Sequence, residues 1–143
     1  MPAEHEGQPP APTGSSATIP TDGTATIALT VRNTGGRAGA EVVQLYLRDP
    51  VAQVVRPAQY LVGFARVQLA PGQARRVAFR LHADRTSFCG LSGARVVEPG
   101  LIEIAAGSSS ADLRLHGTLD LTGPERVTDT GRVLTTPVAM WDL

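Results

Sequence analysis

The residues of this chain that could do covalent, acid–base or metal chemistry are one cysteine, three histidines and thirteen carboxylates. Cys89 would be a nucleophile if a base and a supporting acid met it in space, and His5, His82 and His116 are the bases available. Its context, Phe88-Cys89-Gly90, reads instead as the end of a short apolar segment entering a turn. Hydrolysis by paired carboxylates needs two that face each other, and a metal site needs clustered His, Cys or acidic ligands. The acids here fall mostly singly on polar strand faces and in turns, and His116 sits beside Arg114 and Asp120 in no ligand spacing. There is no P-loop glycine run, no GxSxG, no CxxC and no HExxH. The expectation is no catalytic residue, no metal and no cofactor.

Composition excludes further classes. Thirteen basic residues balance thirteen acidic ones, so the chain lacks the electrostatic footprint of a nucleic-acid binder. Every basic residue is Arg, which reads as a compositional bias before it reads as anion recognition. No window approaches the ~18 consecutive apolar residues of a membrane span. The N-terminus lacks the basic and then apolar order of a signal peptide, which favours a cytoplasmic location. The single cysteine cannot close an intrachain disulfide, so packing alone must hold the fold.

Whatever site exists must be positioned by strands. Residues 1–23 are rich in Pro, Gly, Ser and Ala, which predicts a flexible arm in which only Ala17 to Pro20 adds an edge strand. From Thr24 the pattern alternates, with Ala25, Ile27, Leu29 and Val31 on one face, until Asn33-Thr34-Gly35-Gly36 marks a turn. The next strand, through Glu41 to Arg48, sets Val43, Leu45 and Leu47 inward. Leu61, Gly63, Ala65, Val67 and Leu69 then share a face opposite Phe64, and Val77, Phe79 and Leu81 share one opposite Arg76 and Arg80. After Pro99-Gly100 come Ile102, Ile104 and Ala106, and a last long strand sets Leu113, Leu115, Leu119 and Leu121 against Asp112, Arg114, His116, Thr118 and Asp120. No segment is helical in period. About seven strands at intervals of roughly 10 residues predict an all-β fold, an antiparallel β-sandwich over 24–121, with a small closed barrel as the alternative and 122–143 as a C-terminal tail.

One loop stands out. Arg48-Asp49-Pro50 closes a strand and the chain does not settle until Arg56-Pro57, with Val51, Val54 and Val55 between the prolines. Rigid prolines and a fork-shaped donor suit gripping a partner surface. The alternative is an intramolecular contact of Arg48 with Asp49, or one of Arg56, that shapes a long crossover.

Residues 31–81, VRNTGGRAGAEVVQLYLRDPVAQVVRPAQYLVGFARVQLAPGQARRVAFRL, resemble the fibronectin type III-like C-terminal domain of family 3 glycoside hydrolases, the β-glucosidases and β-xylosidases. The resemblance rests on Val31, Asn33 to Gly35, Gly39 to Tyr46, Pro50, Arg56, Pro57, Gly63, Phe64, Arg66, Val67, Pro71, Gly72, Val77 and Phe79, and on Glu98-Pro99-Gly100 ahead of Ile102 to Ser110. The chain departs from that pattern at Ala58-Gln59-Tyr60, where a Lys-Glu pair is usual, and at Arg95-Val96, where an aromatic often stands. The resemblance implies a fibronectin III/immunoglobulin-like sandwich and an accessory role, since the family's nucleophile and acid/base residue lie in other domains. It implies the catalytic domains of such an enzyme, or self-association, as partners. Asp49, Pro50, Val54, Val55, Arg56, Pro57 and Tyr60 are the expected interface. A second reading is a free-standing carbohydrate-binding or adhesion module, for which Tyr46, Tyr60 and Trp141 are the aromatics available. A third is a gene fragment without an independent role.

Overall fold

The computed structural model describes residues 3–7, 15–50, 59–128 and 131–143. The alternation seen from Thr24 onward forms β3 (Thr24–Asn33), β4 (Gly39–Arg48), β5 (Tyr60–Leu69), β6 (Ala74–His82), β9 (Gly100–Ser109) and β10 (Asp112–Thr122). Short strands β7 (Phe88–Cys89), β8 (Arg95–Val97) and β11 (Arg126–Val127) make a small third sheet in the order β11-β8-β7. The only helical element among the described residues is a 3-10 turn at Ala83–Thr86.

Both ends of the chain contribute strands of their own. Residues 1–23, expected as a flexible arm, supply β1 (Ala3–Gly7), antiparallel to β3, and β2 (Ser15–Pro20), parallel to β10. The expected tail supplies β11 and β12 (Val138–Asp142), which lies antiparallel on β6. These pieces have little apolar alternation of their own, and their order comes from ladders offered by strands already in place. The main sheets are therefore β1-β3-β6-β12 and β2-β10-β9-β4-β5.

Their facing sides meet in one core. Ile27, Leu29, Val31, Val77, Phe79 and Leu81 come from the first sheet, and Val43, Leu45, Leu47, Val67, Leu69, Ile102, Leu119 and Leu121 from the second. This is the predicted all-β sandwich with the predicted inward faces on β3, β4 and β6. Arg76 departs from its expected solvation: it points away from the core but is buried, and its Nη1 donates to Thr30 Oγ1 at 3.0 Å. Burial lowers its pKa from the ordinary arginine value.

Two predicted faces are overturned by β-bulges. On β5 the register shifts between the pairs Leu45↔Gly63 and Tyr46↔Leu61. The extra residue, Val62, enters the core, and Leu61 turns outward, 45% exposed. Gly63 stays inward, where a Cβ would sit 3.1 Å from the Phe79 ring. The displaced Val62 carbonyl accepts from Arg85 Nη2 at 3.0 Å and Thr136 Oγ1 at 2.7 Å. On β10 the register shifts around Arg114, so Leu113 opposes Gly107 while Leu115 opposes Ala106. Leu113 therefore lies on the outer face, and the backbone of Asp112 and Leu113 closes over Gly107, where no Cβ would fit.

Candidate functional site

Four surfaces could carry function. The first is the expected interface loop. Val54, Val55, Arg56 and Pro57, with Val51, lie outside the described residues. At the flanks Asp49 is half-buried, Pro50 is exposed, and Tyr60 packs against the core. Arg48 reaches across the sheet, its Nη1 3.1 Å from Glu103 Oε2 on β9.

The second surface adjoins that loop. Tyr60 opens β5, the edge strand of the five-stranded sheet, and the bulge places Leu61 outward close to Phe64, which is 64% exposed. Leu134 joins them across a groove shared with Arg85, Thr135 and Thr136. Arg85 ties that crossing segment down through Nη1 to Leu134 O at 2.8 Å and Nε to Thr136 Oγ1 at 3.3 Å. The alternation on β5 had revealed Phe64 but not Leu61, because a bulge has no signal in the apolar pattern.

The third is a trough on the outer face of the five-stranded sheet. Register aligns Tyr46, Ala105 and His116 in one row across β4, β9 and β10, and Arg48, Glu103 and Thr118 in the next. A further row carries Gln44, Gly107 and Leu113. Ala105 on the middle strand, between the larger Tyr46 and His116 of its neighbours, leaves a concavity, which Gln59 borders. The Tyr46 hydroxyl donates to Gln44 Oε1, which steadies the ring. The three aromatics considered for a carbohydrate platform do not assemble: Tyr46 is here, Tyr60 is against the core, and Trp141 is on β12 in register with Arg76 of the other sheet.

The fourth is a polar hub. Asp84, buried in the 3-10 turn, accepts from Arg126 Nη2 through Oδ1 and from the Val133 amide through Oδ2 at 2.8 Å. Arg126 also donates to Thr21 O through Nη2 at 2.8 Å and Nε at 3.1 Å. His82 Nδ1 accepts from the Asp84 amide at 3.0 Å, and its ring lies 3.5 Å from the carboxylate. Burial alone would raise the Asp84 pKa, but the hydrogen bonds from Arg126 and Val133 and the charge of Arg126 outweigh it and hold the carboxyl below its ordinary 3.8. The partners come from positions 42 and 49 residues away, so the hub clamps distant chain segments together.

Cys89 and His82 lie on different sheets, with His116 on the outer face of a third strand system. Among the described residues no group of three His, Cys, Asp or Glu could hold a metal ion. No helix among them is long and apolar enough to cross a membrane.

A two-sheet, all-β core with this order of turns and loops defines a fibronectin type III-like fold, and residues 41–110 match the fibronectin type III-like domain family. A β-xylosidase of Formosa agariphila is 41% identical over 95 residues, which is 66% of this chain and 13% of that protein. A periplasmic β-glucosidase of Salmonella typhimurium is 36% identical over 107 residues, 75% of this chain and 14% of that protein. The crystal structure of a β-glucosidase from Listeria innocua in complex with isofagomine superposes with a TM-score of 0.76 at 29% identity, covering 85% of this chain and 16% of that one. The chain belongs with the fibronectin type III-like domains of family 3 β-glucosidases and β-xylosidases, and spans about one-seventh of the length of such relatives.

Proposed function

We propose that this chain is a non-catalytic accessory domain that packs against the catalytic domains of a family 3 β-glycosidase. The observation that carries the reading is the coverage: the match takes up 75% of this chain but 14% of the Salmonella typhimurium β-glucosidase. The docking surface is the loop flanked by Asp49, Pro50 and Tyr60 together with the outward Leu61 and Phe64 that follow it. Exposed apolar side chains grouped on a sheet edge favour burial by another protein surface. In the isolated chain the same edge favours self-association at high concentration.

The purified chain should not turn over aryl β-glucosides or β-xylosides, and hydrolysis above background would sink the non-catalytic reading. Docking is tested by exchanging this chain for the matching region of the Salmonella typhimurium enzyme. In that chimaera Phe64→Glu should lower the unfolding temperature clearly more than in the isolated chain. An equal effect in both settings would remove this edge from the interface.

A further inference from the structure

We propose that the trough across β4, β9 and β10, which the docking loop borders at Gln59, is a binding cleft for a neutral oligosaccharide, a reading that does not rest on the accessory role. Its shape follows from register. Ala105 is the floor between Tyr46 and His116, whose strands stand two spacings apart, roughly 10 Å. Along β9 the open floor runs from Ala105 to Glu103, roughly 7 Å of strand, enough for one or two pyranose rings of a short saccharide.

The lining selects the ligand class. Tyr46 offers an aromatic face on which the C–H face of a pyranose can stack, with its hydroxyl already held by Gln44. Arg48 and Glu103 are fixed by their mutual contact at 3.1 Å, yet each is about half exposed and keeps unused donors or acceptors for adjacent hydroxyls. Gln59, whose Nε2 already donates to Ser110 O at 3.3 Å and whose Oε1 can accept, and the exposed His116 add planar hydrogen-bonding groups on either side. One positive and one negative side chain leave the cleft without net charge. An anion would meet Glu103 and a cation would meet Arg48, so a polyhydroxylated neutral molecule satisfies the set best. Shallow sites that order a flexible ligand bind weakly, and the affinity expected is on the order of 1 mM.

The test is a titration of the ¹⁵N-labelled chain with laminarihexaose, cellohexaose and xylohexaose, followed by amide and indole chemical shifts. At least one sugar should give saturable shifts grouped at Tyr46, Arg48, Ala105 and His116, with the Trp141 indole unmoved. Ala105→Leu raises the floor at an outward position and should weaken binding tenfold or more. Glu103→Gln keeps the shape while removing the charge pair and should weaken it several-fold, which decides the matter if Ala105→Leu fails to fold. The proposal is overturned by the absence of saturable shifts with all three sugars. It is equally overturned by shifts centred on Trp141, or by binding that both substitutions leave unchanged.

Discussion

Replacing Asp84 is the sharpest test of how this domain is held together. Asp84→Ala removes the hydrogen bonds from Arg126 and the Val133 amide, and charge-assisted bonds of this kind contribute about 1.5–3 kcal/mol each. Arg126 keeps Thr21 O and has a partly exposed side chain, so the guanidinium is not left stranded and the loss falls near the lower sum, about 3–4 kcal/mol. With an unfolding entropy of about 2.1 cal/mol/K per residue, that lowers the melting temperature by roughly 10 °C. Asp84→Asn keeps the shape but turns an amide N–H₂ toward a donor, for a loss of about 2–3 kcal/mol. Urea unfolding followed by far-UV circular dichroism measures both. The sign with pH is fixed by the depressed folded-state pKa. The carboxylate's stabilisation is complete above the unfolded value near pH 4 and is lost as pH falls through the lower folded value. The gap between the parent chain and Asp84→Asn should therefore be constant near neutrality and close on acidification below pH 4. A loss under about 0.5 kcal/mol for Asp84→Ala, or a gap unchanged by acid, would refute the clamp.

Two further substitutions probe the turns. Asn33 is fully buried and ties two turns together, Nδ2 donating to Arg37 O at 2.7 Å and Leu69 O at 3.3 Å while Oδ1 accepts from the Gly35 amide at 2.9 Å. Asn33→Ala should cost about 2–3 kcal/mol in denaturant unfolding, with a loss below 0.5 kcal/mol counting against it. Gly107→Ala places a methyl inside the backbone of the β10 bulge and should destabilise by about 2 kcal/mol or more, whereas Gly36→Ala meets open space and should stay within about 0.5 kcal/mol. Equal thermal shifts for the two would show that the bulge relaxes freely.

Most of the sandwich was legible because burial on one face of a strand forces a period of two, and Ile27, Leu29, Val31, Val43, Leu45 and Leu47 obey it without interruption. Leu61 and Leu113 were misplaced because a bulge breaks that period through backbone geometry, leaving only the neighbouring glycines, Gly63 and Gly107, as marks. The strand Ala3–Gly7 has no apolar repeat to read, since its ladder is supplied by β3. Asp84 and Arg126 looked like two ordinary charges 42 residues apart, and only the folded chain brings them together. The trough was hidden for a related reason: Tyr46, Ala105 and His116 belong to three strands, and their alignment is a property of register. Of the loop expected as an interface, Asp49, Pro50 and Tyr60 lie within the described residues, while Val54, Val55, Arg56 and Pro57 fall outside them.

The parallel pairing of β2 with β10 sets Ile19 against Leu121. A contact of that sequence separation cannot form until most of the intervening chain has been laid down and its loop entropy overcome. On a ribosome, the β2 edge stays open while β9 and β10 are still being made, and residues 15–20 have no ladder of their own to join. Sheet completion is consequently a late event, and refolding in milliseconds to seconds, set by non-local strand pairing, is the time scale this topology imposes.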